Sequence, residues 1–217
     1  MDIVLIAGLW LDGSAWEDVA SSLRSLGHRP VPLALPIEGA TLDDQVAAVV
    51  AAVDEADNPV VVGHSAAATL AWLAADARPD RVASVVFIGG WPASDGKPYF
   101  DFLEVRDGVL PFPGWEAFEG PDSADLDEPT RKAFADAAIP APEAVTTGVV
   151  RLTDERRFDV PVVLVCPEFS PDDARELIPE IPELAKAKHV ELVDIDSGHW
   201  PMFTQPAELA RILAGGR

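Results

Sequence analysis

Short unbroken apolar runs alternate with amphipathic stretches along most of the chain. Residues 3–7, 30–35, 60–62, 82–88, 160–166 and 189–195 are of strand length and rich in Val, Ile and Leu, and each predicts a β-strand. Between them the apolar spacing becomes helical. Trp16, Val19, Ala20, Leu23 and Leu26 predict a helix that Gly27 ends. Thr41 opens the next helix, Asp44 completes an S/T-x-x-D/E box, and Val46, Val49, Val50 and Val53 form its buried stripe. Residues 66–77 are alanine-rich with Leu70 and Leu73 at helical spacing, and 171–178 and 206–213 also read as helices. Strand and helix in alternation mean a mostly parallel sheet with helices on both faces, joined by right-handed crossovers.

The pattern lapses between 90 and about 157. Prolines at 92, 98, 111, 113, 121, 129, 140 and 142 cut this stretch into short pieces. Two helices are expected in it, over 128–138 and 142–152. Trp91, Tyr99, Phe100, Phe102, Phe112, Trp115, Phe118 and Phe134 are interleaved through it, and acidic residues gather between 116 and 128. A long irregular stretch with this aromatic content is expected to be a packed lid, 91–157, inserted in one α/β domain spanning 1–217.

Composition narrows the function classes. With 217 residues and 48 % hydrophobic content the chain has material for a sizeable core. The formal net charge of −21 disfavours nucleic acid and anionic membrane surfaces, which need a basic face, and reads as a solubilising surface. The single cysteine, Cys166, allows no internal disulfide and no cysteine cluster for a metal, and its apolar neighbours mark it as core. No metal or organic cofactor is expected. The chain enters directly into a strand without a charged leader, and no apolar run reaches membrane-spanning length, a pattern expected of a cytoplasmic protein.

The chemistry starts where a strand turns into a helix. Gly63-His64-Ser65-Ala66-Ala67 follows the run 60–62 and opens the alanine-rich helix. A sharp strand-to-helix turn of this kind lifts its middle residue outward in a strained conformation and needs tiny neighbours on either side. The Ser65 hydroxyl would then face solvent, with the Ala66 N–H and the helix dipole beside it. The segment resembles the nucleophile elbow of the α/β-hydrolase family, with alanine in the last place of G-x-S-x-G. Late in the chain, Ser197-Gly198-His199 lies on a turn after the final strand, ahead of Gln205-Pro206 and the closing helix. This run resembles the family's C-terminal signature and implies His199 as the base. His64 reads as a spacer hydrogen-bonded in the core, and His28 and His189 read as surface residues.

The same resemblance implies the other parts. The loop Gly8-Leu9-Trp10, with Trp16 further on, is similar to the family's oxyanion loop, so the Leu9 and Ala66 N–H groups would hold the oxyanion. Ala7 stands where the family has histidine, which is expected to loosen that loop. The acid departs from the pattern. After the penultimate strand the family carries Gly-x-x-Asp, and here Pro167 and Ser170 occupy those places; Gly89-Gly90 occupies the second location some members use. Glu168 is the first candidate, then Asp172, then Asp95, and a Ser–His dyad oriented by water, by Ser170 or by a backbone carbonyl stays open.

Trp10, Trp91 and Trp200 are expected to bound a pocket for an apolar or aromatic small-molecule substrate. The expected activity is hydrolysis of a small carboxylic ester, lactone or thioester through Ser65. Two rivals share the scaffold: a lyase using His199 without an acyl-enzyme, and a non-catalytic small-molecule-binding protein.

Overall fold

The structure, a computed structural model, describes residues 1–216. Among these residues six strands build one parallel sheet and two more form a small antiparallel pair. The sheet strands are β1 (Asp2–Ile6), β2 (Arg29–Pro32), β3 (Val60–His64), β4 (Ser84–Ile88), β7 (Val162–Cys166) and β8 (Val190–Asp194); the pair is β5 (Val109–Leu110) and β6 (Ala141–Pro142). The sheet order is β2-β1-β3-β4-β7-β8. β3 sits at its centre, with Val4, Val61 and Val85 in register across three strands.

Continuous apolar runs are what such strands need, because both faces are covered. Val4, Ile6, Val61 and Phe87 pack under α2 (Leu42–Glu55) and α3 (Ala68–Ala77). Ile3, Leu5, Val62 and Ile88 pack under α1 (Glu17–Ser25) and the closing helix (Pro206–Leu213). α3 is buried from Ala68 through Asp76, and its alanines let it lie close to the sheet. The capping box of α2 is present in both directions, with Thr41 Oγ1 accepting from the Asp44 N–H and Asp44 accepting from the Thr41 N–H.

The long connection after β4 behaves differently. α4 (Glu128–Ala137) forms as expected, capped by Asp127. The helix expected over 142–152 shrinks to α5 (Glu143–Thr146). Thr146, Thr147, Gly148, Val149 and Val150 are poor helix formers. Gly148 also lies so near Leu42 that a β-carbon there would be 2.5 Å from the leucine Cβ. The chain instead runs extended against 96–99, with Tyr99 N–H donating to Gly148 O and Val150 N–H to Lys97 O, both at 2.8 Å.

The connection re-enters the sheet through a buried ion cluster. Arg157 pairs with Asp76 at 3.2 Å and with Glu183 at 3.1 Å, and the Trp72 indole N–H donates to Glu183. The second strand is also shorter than expected, ending at Pro32 where the proline-rich turn leaves the ladder. Among the described residues no helix is long and apolar enough to cross a membrane, and no group of three or more His, Cys, Asp or Glu is placed to hold a metal ion.

Candidate active site

The carboxyl ends of β1, β3, β4, β7 and β8 point the same way, and their loops meet over the middle of the sheet. β3 brings Ser65, whose φ of 54° lies in the left-handed region. Such a backbone costs a non-glycine residue about 1–3 kcal/mol and persists only where the surroundings enforce it. Here they do. A β-carbon at Gly63 would run into the Ala67 carbonyl, and one at Gly90 would be 2.8 Å from the Ser65 carbonyl oxygen. One at Gly8 would be 2.7 Å from His64 Nδ1. Three bare backbones therefore crowd the elbow and hold Ser65 up. The turn Ser65–Ala67 then feeds α3, leaving the Ala66 N–H at a helix N-terminus.

β8 brings His199, and β7 brings Glu168. His199 Nδ1 lies 2.7 Å from Glu168 Oε1, with both side chains mostly withdrawn from solvent. A carboxylate only accepts, so Nδ1 carries the proton and Nε2 is left as the acceptor. Glu168 Oε2 is buried without a partner, beside Gly89. Gly89 has φ of 60°, and a β-carbon there would be 3.1 Å from the His199 ring and 3.3 Å from Glu168 Oε2. The space that an acid at the end of β4 would use is taken up by this pair.

Of the three acid candidates the structure brings only Glu168 to the imidazole. Asp172 is exposed at the start of α6 (Pro171–Leu177) and pairs with Arg175. Ser170 caps the same helix, exchanging hydrogen bonds with Asp173. Asp95 accepts from the Leu152 N–H, which ties down the extended stretch of the connection.

His64 is buried, and its Nε2–H donates to the His199 carbonyl at 2.8 Å. Burial, and then the charge His199 can carry, hold its pKa down to about 3, so it stays neutral beside the second imidazole. The other two histidines divide: His189 is exposed, whereas His28 is half-buried with Nδ1 sealed from solvent, not a plain surface residue. Cys166 lies in the core with its thiol pushed up to about 12 by burial.

Ser65 and His199 open onto one cavity of about 200 Å³, lined by Leu9, Trp10, Phe100, Phe102, Phe118 and Trp200 among others. A wider cleft of about 550 Å³ starts on the other side of Ser65 and Phe102 and holds Ala66 and Trp91. Trp91, 41 % exposed, meets Phe169 edge-on. The Gly8–Trp10 loop is pinned despite Ala7. Trp10 sits at φ 68°, its indole N–H donates to Leu110 O at 3.1 Å, and its carbonyl accepts from the Ile139 N–H at 2.9 Å.

Two contacts at the site come from residues that no local motif marks. The His199 N–H donates to Asp122 O at 2.7 Å, and the Gly198 N–H donates to Asp125 Oδ2 at 2.8 Å. Both aspartates lie in the acidic stretch 116–128, and the only hint of them was that clustering of charge.

The model of the Alpha/beta hydrolase family matches residues 3–212. The chain belongs to the alpha/beta hydrolase family. This hydrolase is 29 % identical to Lipase LipV of Mycobacterium tuberculosis (strain ATCC 25618 / H37Rv) over 252 aligned positions, covering 97 % of the chain and 91 % of the relative. Its fold matches an extracellular alpha/beta-hydrolase from a Paenibacillus species with a TM-score of 0.83 at 19 % identity, covering 100 % of this chain and 98 % of that one. A methylesterase protein, MES16 from Arabidopsis, superposes with a TM-score of 0.76 at 16 % identity, covering 99 % and 98 %. At such identities the two structures speak for the hydrolase's fold alone.

Proposed function

We propose that the chain is a serine hydrolase that cleaves a small carboxylic ester, lactone or thioester through an acyl-enzyme on Ser65. The observation that carries this is the 2.7 Å bond from His199 Nδ1 to Glu168, formed away from bulk water beside a cavity that Ser65 shares. A serine hydroxyl needs a base, and the base needs a carboxylate to hold its tautomer and to stabilise its cation.

In this reading Ser65 Oγ attacks the substrate carbonyl while His199 Nε2 takes the hydroxyl proton. The Leu9 and Ala66 N–H groups donate hydrogen bonds to the developing oxyanion. His199 passes the proton to the departing alkoxide or thiolate, and a water activated by the same nitrogen releases the acyl group. No step uses a metal or organic cofactor. Trp10, Trp200 and the phenylalanines suit a compact apolar or aromatic group in the 200 Å³ cavity, while Trp91 faces the part of the substrate in the wider cleft. The name of the sequence relative, a lipase, agrees with ester cleavage.

The non-catalytic alternative drew its force from the lack of acids at the two usual places, and Glu168 at His199 argues against it. The test is labelling with a fluorophosphonate probe together with turnover of p-nitrophenyl acetate. Wild type should do both, and Ser65→Ala neither. Ester turnover that survives Ser65→Ala would mean that the base activates water directly, and would overturn the acyl-enzyme.

A further inference from the structure

The base-bearing loop is gripped by two parts of the molecule. From the sheet, Glu168 holds the His199 ring and His64 Nε2–H holds the His199 carbonyl. From the connection between β4 and β7, the Asp122 carbonyl takes the His199 N–H. The Asp125 carboxylate takes the Gly198 N–H at 2.8 Å and the Ser197 hydroxyl at 3.2 Å. Gly198 is glycine for want of room, since a β-carbon there would run into both Asp122 O and Asp125 Oδ1. The gripping loop is itself braced. Arg131 on α4 donates to Leu126 O at 3.2 Å and to Ser123 O, with its guanidinium over the Trp115 ring. The Ser123 hydroxyl donates to Phe118 O at 2.6 Å, and Phe118 lines the catalytic cavity against Trp200.

We propose that Asp125 is a positioning residue: its carboxylate, by accepting from Gly198 and Ser197, sets where the His199 imidazole stands. The proposal rests on the serine-hydrolase reading of the site. The same short loop then closes the apolar cavity and seats the base, so chemistry depends on the covering segment being docked. Carboxylate-to-amide bonds of this kind are charge-assisted, but Asp125 is itself exposed, so water screens them and they add little to stability. Their value here is geometric, because a displacement of about 1 Å in a reacting group can cost about 10²-fold in rate.

The experiment compares Asp125→Ala, Asp125→Asn and, as a control, Glu119→Ala, an exposed carboxylate on the same loop. Steady-state kinetics on a short-chain ester should show kcat of Asp125→Ala down by about 10-fold or more with KM within about 3-fold. Asp125→Asn, which keeps an acceptor oxygen, should recover most of that loss, and Glu119→Ala should match wild type. Amide exchange over residues 197–200 should speed up in the alanine variant and not in the asparagine one, whether or not the protein turns over the ester. Should Asp125→Ala fail to fold, Gly198→Ala gives a second access, since its β-carbon forces the two loops apart and should lower kcat similarly. An alanine variant with wild-type kcat and exchange overturns the proposal, as does an asparagine variant that loses as much as alanine. A wild type that neither labels nor hydrolyses overturns the hydrolase reading instead, and leaves the exchange experiment to judge the role of Asp125.

Discussion

β3 and the 91–157 segment meet at the same cavity, yet they are held in place by different means. Every residue of β3 is buried between two helical layers, and its neighbours in register on β1 and β4 are apolar side chains apart from Ser84 at the strand's start. The covering segment has few regular elements. It is fixed by a mostly edge-to-face aromatic cluster of Phe112, Trp115, Phe118 and Phe134 with Trp10 and Trp200, and by side chains that bond to backbone, such as Asp95, Asp76 and Arg131. The lesson is one of tolerance. A sheet interior accepts many apolar substitutions of similar volume, whereas a segment held by single polar bonds is sensitive at each of them.

Five measurements would break or sharpen that contrast. The largest effect belongs to the sheet: Ser65→Ala should lower kcat by about 10⁶-fold in an ester assay without lowering the melting temperature. Glu168→Gln, which removes the negative charge that stabilises the His199 cation and lets an amide N–H compete for Nδ1, should lower kcat by about 10³–10⁴-fold with KM little changed, while Asp172→Asn and Asp95→Asn keep the wild-type rate. At the junction of the two regions, Arg157→Met should cost about 3–5 kcal/mol in denaturant unfolding, because Asp76 and Glu183 lose the cation that compensates them in a buried site.

The next effect is a pH slope. The unfolded chain takes up a proton on His64 near its ordinary 6.5, and the folded one only near 3. Stability should therefore fall as pH drops through that window, by up to about 1.4 kcal/mol per pH unit, and melts of His64→Gln between pH 4 and 7 should show a flatter dependence. The smallest is in the covering segment: Phe102, 82 % exposed, should be replaceable by alanine at a cost below about 0.5 kcal/mol in stability. Its effect should appear as a few-fold change in KM along a series of esters of rising bulk.

What could be read from the sequence follows the same division. The six strands, the capping box at Thr41 and the Gly63–Ala67 turn carry short-range signals, because period, cap and elbow are all defined within a few residues. Glu168 stands first among the acids by its place in the chain, but its bond to His199 depends on how far a glutamate reaches across to the β8 loop, which no local pattern records. The 142–152 helix does not form in full because Gly148 answers to Leu42, 106 residues earlier in the chain. Asp122 and Asp125 were invisible for the same reason, being defined only by the backbone of a distant loop.

Trp10 carries a last consequence. The Gly8–Trp10 loop leaves β1, which precedes every other strand of the sheet in the chain, yet Trp10 is pinned by Leu110 and Ile139, the first of these 100 positions later. A nascent chain can lay β1 and β3 side by side and raise Ser65 long before the loop beside it has anything to hold it. In the serine-hydrolase reading, a product truncated before Ile139 would lack not only Glu168 and His199 but also the contacts that seat the Gly8–Trp10 loop beside Ser65.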